Sequence, residues 1–452
     1  MDYNKYEFKE AVDDSQIAYL DCVETGYDAL YTGKKDQVPP TLEEVILASM
    51  GEEDFKQALN RAQLVAVETG KPADQLSIVD IVKFSNTISR EDKRRIQELN
   101  PKSFGYRIKD VYNTNDMNGF YSCCIEKDDG EICLAFRGSE NCKLKNNFVN
   151  DWCRADLGLM QNEETIQQKE IFYMLRYYKD IGILDDAKTI TTAGHSLGGN
   201  LATHCAVLLA SKDFEEYLPK LKNAYNLDGP GFSKKYLEKH KSLIKKLALD
   251  KDGKPNGIVK HAKWSLVGDL LNNLSYTEDG QEIDVEDAAF LKINEDKLTN
   301  FMDYRHRGKC SLIHLVELVK RQLCRHTTEV VTPPFDENHR MNTISWKLEE
   351  GPQDPLSKMF GNFSRGVDRF VPEVVTRAVG GVCTWIVENV FIRPQEKEDT
   401  TPSIIGVDVV PEGETNINDI GTYHKIPTDF YNKNKGTTDD GNSVDNPDEP
   451  EI

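Results

Sequence analysis

Apolar residues recur at helical spacing through the first hundred residues of the chain. Residues 41–49 begin with Thr41 followed three positions later by Glu44, a capping-box pattern that marks the start of a helix. Further helical periodicity covers residues 55–69 and 77–84. We therefore predict a helical N-terminal region, residues 1–100. This region carries no chemical motif. Three roles remain open for it: a cap over the site, a module that docks a partner, or helices that wrap the core.

Residues 101–350 alternate between strand-like and helix-like segments. Residues 119–126 and 131–137 flank an Asp-Asp-Gly turn, which indicates a β-hairpin. Further strands are expected at 188–193, 223–227 and 258–267, and helices at 166–180, 197–209 and 233–247. Strands separated by helices predict an α/β fold, with a mostly parallel sheet covered by helices on both faces.

The C-terminal part of the chain differs from this pattern. Residues 351–395 have apolar positions at helical spacing, interrupted by Pro372, and predict an amphipathic segment that packs on the core or touches lipid. Residues 396–452 are acidic and poor in large apolar groups, which predicts a disordered tail. This tail has 14 acidic residues against 4 lysines and therefore holds half of the net charge of −20. Such a charge repels phosphates and argues against nucleic-acid binding.

The sequence predicts neither a secretory leader nor a membrane span. Its first eleven residues lack an apolar stretch, and no run of about 18 apolar residues occurs. We expect a protein of the cytoplasm, or one exported without a signal peptide, that is not integral to a membrane. The ten cysteines have no CxxC spacing, which favours reduced thiols over a disulfide framework.

The strongest chemical signal is the segment Gly194-His195-Ser196-Leu197-Gly198-Gly199. It satisfies G-x-S-x-G, with a predicted strand before it and a predicted helix after it. In that context the serine sits on a strained turn and acts as a nucleophile, and the glycines leave room for neighbouring backbone. Ser196 is therefore the predicted nucleophile.

A serine nucleophile needs a base and an orienting acid, which follow it in the chain order Ser, Asp or Glu, His. Asp269 is the favoured acid because it comes just after the predicted strand 258–267, at the strand end where catalytic side chains collect. The alternative is Asp228, after the strand 223–227, which equally suits a turn cap.

The favoured base is His339, which lies in a polar loop ahead of a predicted strand at residues 344–348. Other histidines remain open as the base: His306 and His326, near basic residues, and His314, within a predicted helix. His195 is out of chain order for the role, and His424 falls in the tail.

The oxyanion hole requires two N–H groups aimed at the tetrahedral oxygen. One is expected from the backbone of Leu197, directly after the nucleophile. The other is expected from Ser139, which ends Phe136-Arg137-Gly138-Ser139 after an earlier strand.

Together these motifs resemble the class 3 (fungal-type) lipases of the α/β-hydrolase fold. The resemblance rests on residues 136–139, 150–152, 155–157 and 194–199 and covers roughly residues 105–350. The Asp-Gly-Pro-Gly-Phe run at 228–232, with Gly-Gly-Asn-Leu-Ala at 198–202, is closer to a little-characterised bacterial branch.

The resemblance implies specific roles for individual residues. It gives a triad of Ser196, Asp269 and His339, an oxyanion hole from Ser139 and Leu197, and a movable lid over about residues 140–157 that includes Trp152. Two features depart from the family pattern. Residues 141–149 are longer and more polar than a short lipase lid, and Leu270-Leu271 follows Asp269 where the family has Val-Pro.

The function expected from the sequence is hydrolysis of carboxylic esters, above all lipid esters, as in triacylglycerol lipases or phospholipases A. No metal or organic cofactor is expected. The expected partners are a lipid or a small ester, with a peripheral membrane contact and a protein partner at the N-terminal helices left open. The alternatives are an inactive hydrolase-fold scaffold and a lipase-type effector toxin.

Overall fold

The structure is a computed structural model that divides into two compact units, Met1–Gly381 and Val382–Ile452. All described residues belong to the first unit. They are residues 5–31, 37–72, 75–138, 164–250, 253–291, 325–326, 348–349 and Asn362. The predicted amphipathic segment, apart from Asn362, and the predicted acidic tail lie outside them.

Helices make up the N-terminal region, as the periodicity predicts. They are α1 (Lys5–Ile17), α2 (Asp21–Leu30), α3 (Leu42–Thr69), α4 (Ile78–Val82) and α5 (Arg90–Glu98), followed by a 3-10 turn at Pro101–Gly105. The capping box that starts α3 is confirmed, since Thr41 and Glu44 bond reciprocally. The two helices predicted at 41–49 and 55–69 are also found, and they meet inside α3 at Gly51, whose φ of 70° is not helical.

Among the described residues, eight strands form one sheet in the order β1-β2-β3-β4-β5-β6-β9-β10. They are β1 (Arg107–Thr114), β2 (Phe120–Glu126), β3 (Glu131–Phe136), β4 (Thr189–His195), β5 (Leu221–Leu227), β6 (Val259–Lys263), β9 (Asp287–Leu291) and β10 (Leu348–Glu349). The run from β3 to β9 is parallel, and β1, β2 and β10 are antiparallel to their neighbours. A separate hairpin joins β7 (Ser275–Glu278) to β8 (Gln281–Asp284).

The remaining helices lie between these strands. They are α6 (Asn115–Asn118), α7 (Ile166–Asp180), α8 (Ile183–Asp186), α9 (Leu197–Leu209), α10 (Lys234–Lys239) and α11 (Lys241–Ala248). A mostly parallel sheet with intervening helices confirms the predicted α/β class. Within the described part of the chain, no helix combines the length and the apolar character needed to cross a membrane.

Two predicted elements have different bounds in the structure. The helix expected at 233–247 is broken at His240 into α10 and α11. The strand expected at 258–267 ends at Lys263, and a 3-10 turn, Val267–Asp269, follows it. The expectation that Asp269 stands at a strand end was therefore wrong.

The N-terminal helices and the sheet share one hydrophobic core. Leu20, Val23 and Val45 from the helices belong to the same buried cluster as Ile108 and Ala135 from the strands. Buried charges join the two parts as well: the Lys127 ammonium lies 2.9 Å from a carboxylate oxygen of Asp14 on α1 and 2.9 Å from one of Glu131 on β3. Of the three roles left open for the N-terminal region, this packing agrees with helices that wrap the core. The described cysteines, Cys22, Cys123, Cys124, Cys133 and Cys205, are buried and free.

Candidate active site

Ser196 lies on the tight turn between β4 and α9. Its φ of 60° and ψ of −136° are uncommon for a residue with a side chain, and its surroundings must hold it there. The Ser196 N–H donates to the Leu227 carbonyl at 3.0 Å, and the Ser196 carbonyl accepts from the Gly199 N–H at 2.8 Å. The strand, strained turn and helix predicted around the G-x-S-x-G motif are thus present.

The glycines of the motif are required by close backbone approach. A Cβ on Gly194 would overlap the Gly198 carbonyl, and a Cβ on Gly198 would overlap the Phe136 carbonyl at the end of β3. The turn therefore packs against the neighbouring strand without space for side chains at these two positions.

Asp228 lies directly after β5 and is fully buried. One of its carboxylate oxygens accepts the backbone N–H groups of Trp264 and Ser265, at 2.8 and 2.9 Å. The other lies 2.8 Å from Nδ1 of His326. These two backbone N–H groups bond to Asp228 immediately after the last residue of β6, which explains why that strand ends at Lys263.

His326 is held from two sides. Its Nδ1 lies against the Asp228 carboxylate, with the Ser265 hydroxyl at 3.2 Å, and its backbone carbonyl lies 2.6 Å from Nε2 of His195. Its Nε2 is buried and has no hydrogen-bond partner among the described residues. A histidine oriented at Nδ1 by a carboxylate, with Nε2 left over, has the arrangement of a general base.

His195 connects His326 to the predicted nucleophile, because it directly precedes Ser196. The two imidazole rings lie 4.6 Å apart between centroids, and the His195 ring stacks on Trp264 at 6.0 Å. Burial and the nearby His326 imidazole hold the pKa of His195 well below its usual value. His195 is therefore neutral, and because a carbonyl only accepts, its proton is on Nε2 and is donated to His326.

Another buried histidine near this site has a different arrangement. His261 on β6 lies 2.8 Å from a Glu286 carboxylate oxygen through Nδ1 and 2.9 Å from the Gly229 carbonyl through Nε2. Both of its ring nitrogens are engaged, so His261 has none left to take a proton from a serine. It holds the backbone next to Asp228.

A network of amides fixes the turn that carries Asp228. The Asn226 side-chain oxygen accepts the Gly229 N–H at 2.9 Å, and the Asn200 amide donates to the Gly231 carbonyl at 2.9 Å. Gln168 on α7 donates in turn to Asn200 at 2.8 Å. Asn200, in the Gly-Gly-Asn run after Ser196, thereby connects α9 to the Asp-Gly-Pro-Gly turn.

The comparison with protein families agrees with this geometry. Residues 91–249 match the family model described as Mbeg1-like, and that family is lipase-like. Residues 91–249 are therefore similar to a lipase-like family. The match confirms the predicted resemblance to class 3 lipases at that level, and it supports a lipase-type hydrolase in coarse terms. The bacterial branch stays a prediction.

Two solved lipase structures are similar to the chain at low identity. Lipase II from Rhizopus niveus is 14% identical, with 48% of this chain and 71% of that one covered and a TM-score of 0.25. The M37 lipase is 12% identical, with 70% of this chain and 82% of that one covered and a TM-score of 0.26. These TM-scores are low, and the α/β class is assigned from the strand order of the sheet. No curated protein matches the chain significantly.

Residues 91–249, which match that family model, contain some of the predicted site residues, and others fall elsewhere. Ser196 and Leu197 form the turn and the first residue of α9. Asp269 is buried in the 3-10 turn after β6, where its N–H donates to the Leu266 carbonyl at 3.2 Å. Ser139, Trp152 and His339 lie outside the described residues, so their roles stay predictions.

The pair that the structure brings together, Asp228 and His326, consists of alternatives that the sequence left open. A usable signal was present, because Asp228 immediately follows β5, which pairs with β4, the strand before Ser196. The Asp-Gly-Pro-Gly run that begins at Asp228 also suits a simple turn, so the sequence does not distinguish a catalytic acid from a turn residue. For His326, the sequence offers no local pattern that indicates its contact with His195.

Proposed function

We propose that this chain is a serine hydrolase that cleaves carboxylic esters through an acyl-enzyme on Ser196, with His326 as base and Asp228 as acid. The observation that carries the proposal is the position of His326, whose Nδ1 lies 2.8 Å from the Asp228 carboxylate and whose backbone accepts from the residue before Ser196. The order Ser196, Asp228, His326 along the chain is the order of α/β-hydrolase triads. The proposal prefers Asp228 to Asp269 as the acid and His326 to His339 as the base, although the sequence alone favours the other two residues.

The proposed reaction is acyl transfer in two steps. His326 takes the Ser196 hydroxyl proton on Nε2 while the serine oxygen attacks the ester carbonyl. Asp228 keeps the proton of His326 on Nδ1 and stabilises the imidazolium that forms. His326 then protonates the departing alcohol, and water, deprotonated by the same nitrogen, hydrolyses the acyl-enzyme.

The negative charge on the tetrahedral oxygen needs donors at the start of α9. The first N–H groups of a helix have no acceptor within the helix and point towards its N-terminus, where the helix dipole favours negative charge. Leu197 is the first residue of α9 and directly follows Ser196. Its N–H is the proposed first oxyanion donor, and Ser139 supplies the second in this proposal.

The proposed substrate is a lipid ester. This part rests on the sequence alone: the resemblance to class 3 lipases, the lid expected over residues 140–157 with Trp152, and the apolar segment at 351–395. A movable lid and an interfacial helix both favour a substrate presented at a lipid surface.

Hydrolysis of p-nitrophenyl butyrate by the purified full chain tests the activity. We expect turnover by the wild type and a loss of at least about 10³-fold in Ser196→Ala, since the nucleophile is removed. Ser122→Ala is the matched control, because Ser122 is a fully buried serine on β2. A wild type without turnover, or a Ser196→Ala variant as active as the wild type, would contradict the proposal and favour an inactive scaffold.

The acyl-chain dependence of the same assay tests the substrate class. A kcat/KM that rises from butyrate to palmitate esters, and rises further when the ester is presented in micelles, is expected for a lipid substrate. Activity on short esters alone would support the proposed hydrolase activity and contradict the proposed lipid substrate.

A further inference from the structure

Tyr19, in the short connection between α1 and α2, reaches the candidate active site. Its hydroxyl accepts the backbone N–H of Gly138 at 3.0 Å and donates to the backbone carbonyl of His195 at 3.2 Å. Gly138 lies two residues after the end of β3, and His195 is the residue before Ser196. One hydroxyl from the N-terminal region therefore joins the exit of β3 to the turn that carries the nucleophile.

The phenol ring that carries this hydroxyl is held in place. The guanidinium carbon of Arg95, on α5, lies 4.7 Å from the ring centroid, in the arrangement of a cation–π contact. Arg95 is itself buried, with an ion pair to Glu91 at 3.3 Å and a hydrogen bond to Gln16. Two N-terminal helices and the loop between α1 and α2 thus cooperate to fix one hydroxyl.

The spacing that Tyr19 fixes is tight. A Cβ built on Gly138 would lie 3.0 Å from the Cβ of Ser196 and would overlap both the His195 carbonyl and the Tyr19 hydroxyl. Because the Gly138 N–H already donates to Tyr19, it is not available to a substrate oxygen in this arrangement. Its bond to Tyr19 instead holds the exit of β3 beside the turn that carries Ser196 and Leu197, the proposed first oxyanion donor.

We propose that Tyr19 is a positioning residue for the oxyanion hole beside Ser196, so that the connection between α1 and α2 contributes to catalysis. The inference rests on the proposed hydrolase function. Oxyanion stabilisation depends on donors fixed in advance at about 3 Å from the developing charge, so a loosened β3 exit weakens transition-state binding more than substrate binding. Tyr19 touches neither substrate nor the reacting atoms and acts through Gly138 and His195.

A matched control exists in the same region. The Tyr27 hydroxyl, on α2, donates to the backbone carbonyl of Lys109 on β1 at 2.8 Å. It also joins the N-terminal region to the sheet, but at a strand distant in sheet order from β4. Phenylalanine in place of either tyrosine removes one partly buried hydroxyl and one such junction, so the two variants should lose similar stability, with Tm lower by about 2–4 °C.

The experiment compares Tyr19→Phe and Tyr27→Phe in the full chain, with p-nitrophenyl butyrate as substrate and a trifluoromethyl ketone as a tetrahedral-adduct inhibitor. For Tyr19→Phe we expect kcat to fall about 10-fold, KM to stay within about twofold, and the inhibition constant of the ketone to rise by the factor lost in kcat/KM. Tyr27→Phe should keep the wild-type kcat and the wild-type inhibition constant.

The results of this experiment distinguish failure of the positioning role of Tyr19 from failure of the hydrolase function. A wild-type kcat in Tyr19→Phe, or an equal fall in kcat in both variants, overturns the positioning role. If this happens while Ser196→Ala still abolishes hydrolysis, the hydrolase function stands and the inference alone fails. If the wild type neither hydrolyses the ester nor binds the ketone, the proposed function fails and the positioning role fails with it.

Discussion

At the scale of single residues, the candidate site depends on which carboxylate faces which histidine. Ser196 follows from its motif, because a glycine-flanked serine between a strand and a helix leaves little choice of conformation. The partners of Ser196 cannot be found in this way. They come from strand ends and loops that are distant in sequence, and only the hydrogen bonds of Asp228 to Trp264, Ser265 and His326 show that it is more than a turn residue.

Replacing the two rival acids separately tests this assignment. Asp228→Asn keeps an oxygen for the two backbone N–H groups but presents an amide to His326, which favours the wrong tautomer. We expect kcat on p-nitrophenyl butyrate to fall by about 10⁴-fold. Asp269→Asn should leave kcat within about threefold. The reverse ranking would restore Asp269 as the acid.

At the scale of secondary-structure elements, local signals predict most of the fold. The bounds of α7 and α9 agree with the predicted helices, and the capping box of α3 and the β2–β3 hairpin are found where the turn and cap residues indicate them. The elements that differ are decided by tertiary contacts. β6 ends because the Asp228 carboxylate accepts the next two N–H groups. α10 ends at Lys239, and the side chain of the next residue, His240, lies 2.9 Å from the Glu164 carboxylate.

The nucleophile turn depends on its contact with β3, and Gly198→Ala tests this dependence. The added methyl group overlaps the Phe136 carbonyl, which is backbone and cannot move aside without shifting the strand. We expect the free energy of unfolding to fall by about 2–4 kcal/mol, measured by urea denaturation. Gly105→Ala is the control, since nothing lies within 4 Å of a Cβ at that position. Equal stability of the two variants would contradict the close packing.

The helix α9 contains a buried histidine whose protonation couples stability to pH. His204 is fully buried, Nδ1 lies 2.6 Å from the Tyr236 hydroxyl, and burial lowers its pKa to about 3. The unfolded chain therefore binds a proton at His204 below about pH 6.5 that the folded chain does not bind until about pH 3, so this group costs stability as the pH falls through that range.

His204→Gln removes that proton uptake. The free energy of unfolding of the variant minus that of the wild type should increase by about 1.4 kcal/mol per pH unit as the pH falls below about 6.5. Urea denaturation of both proteins at a series of pH values between 7 and 4 measures this difference. A difference that does not change with pH would show that His204 titrates normally in the folded chain.

At the scale of the whole molecule, the N-terminal helices and the sheet share a hydrophobic core. Tyr19 of the N-terminal region also contacts the candidate active site. The sequence predicts the helices but not their role, because amphipathic periodicity indicates that a face is buried and not what it is buried against. That information comes from the structure, in which Leu20, Val23 and Val45 belong to one buried cluster with residues of the sheet.

A shared core predicts that the two parts unfold together. Leu20→Ala, at a fully buried N-terminal position, should lower the free energy of unfolding by about 2–5 kcal/mol. Helix content by far-UV circular dichroism and tryptophan fluorescence should report the same shifted midpoint. Leu64→Ala is the control, because Leu64 is 66% exposed and should change little. Two separate transitions would show that the helices form an independent unit.

The most direct test of the central claim is the reaction of the native full chain with a fluorophosphonate, followed by mass spectrometry of its peptides. An activated serine reacts with this reagent, and an ordinary serine does not. We predict one adduct, on Ser196, that disappears when the protein is denatured first and forms much more slowly in Asp228→Asn. An unlabelled Ser196 in the folded wild type, or labelling unaffected by Asp228→Asn, would contradict the account.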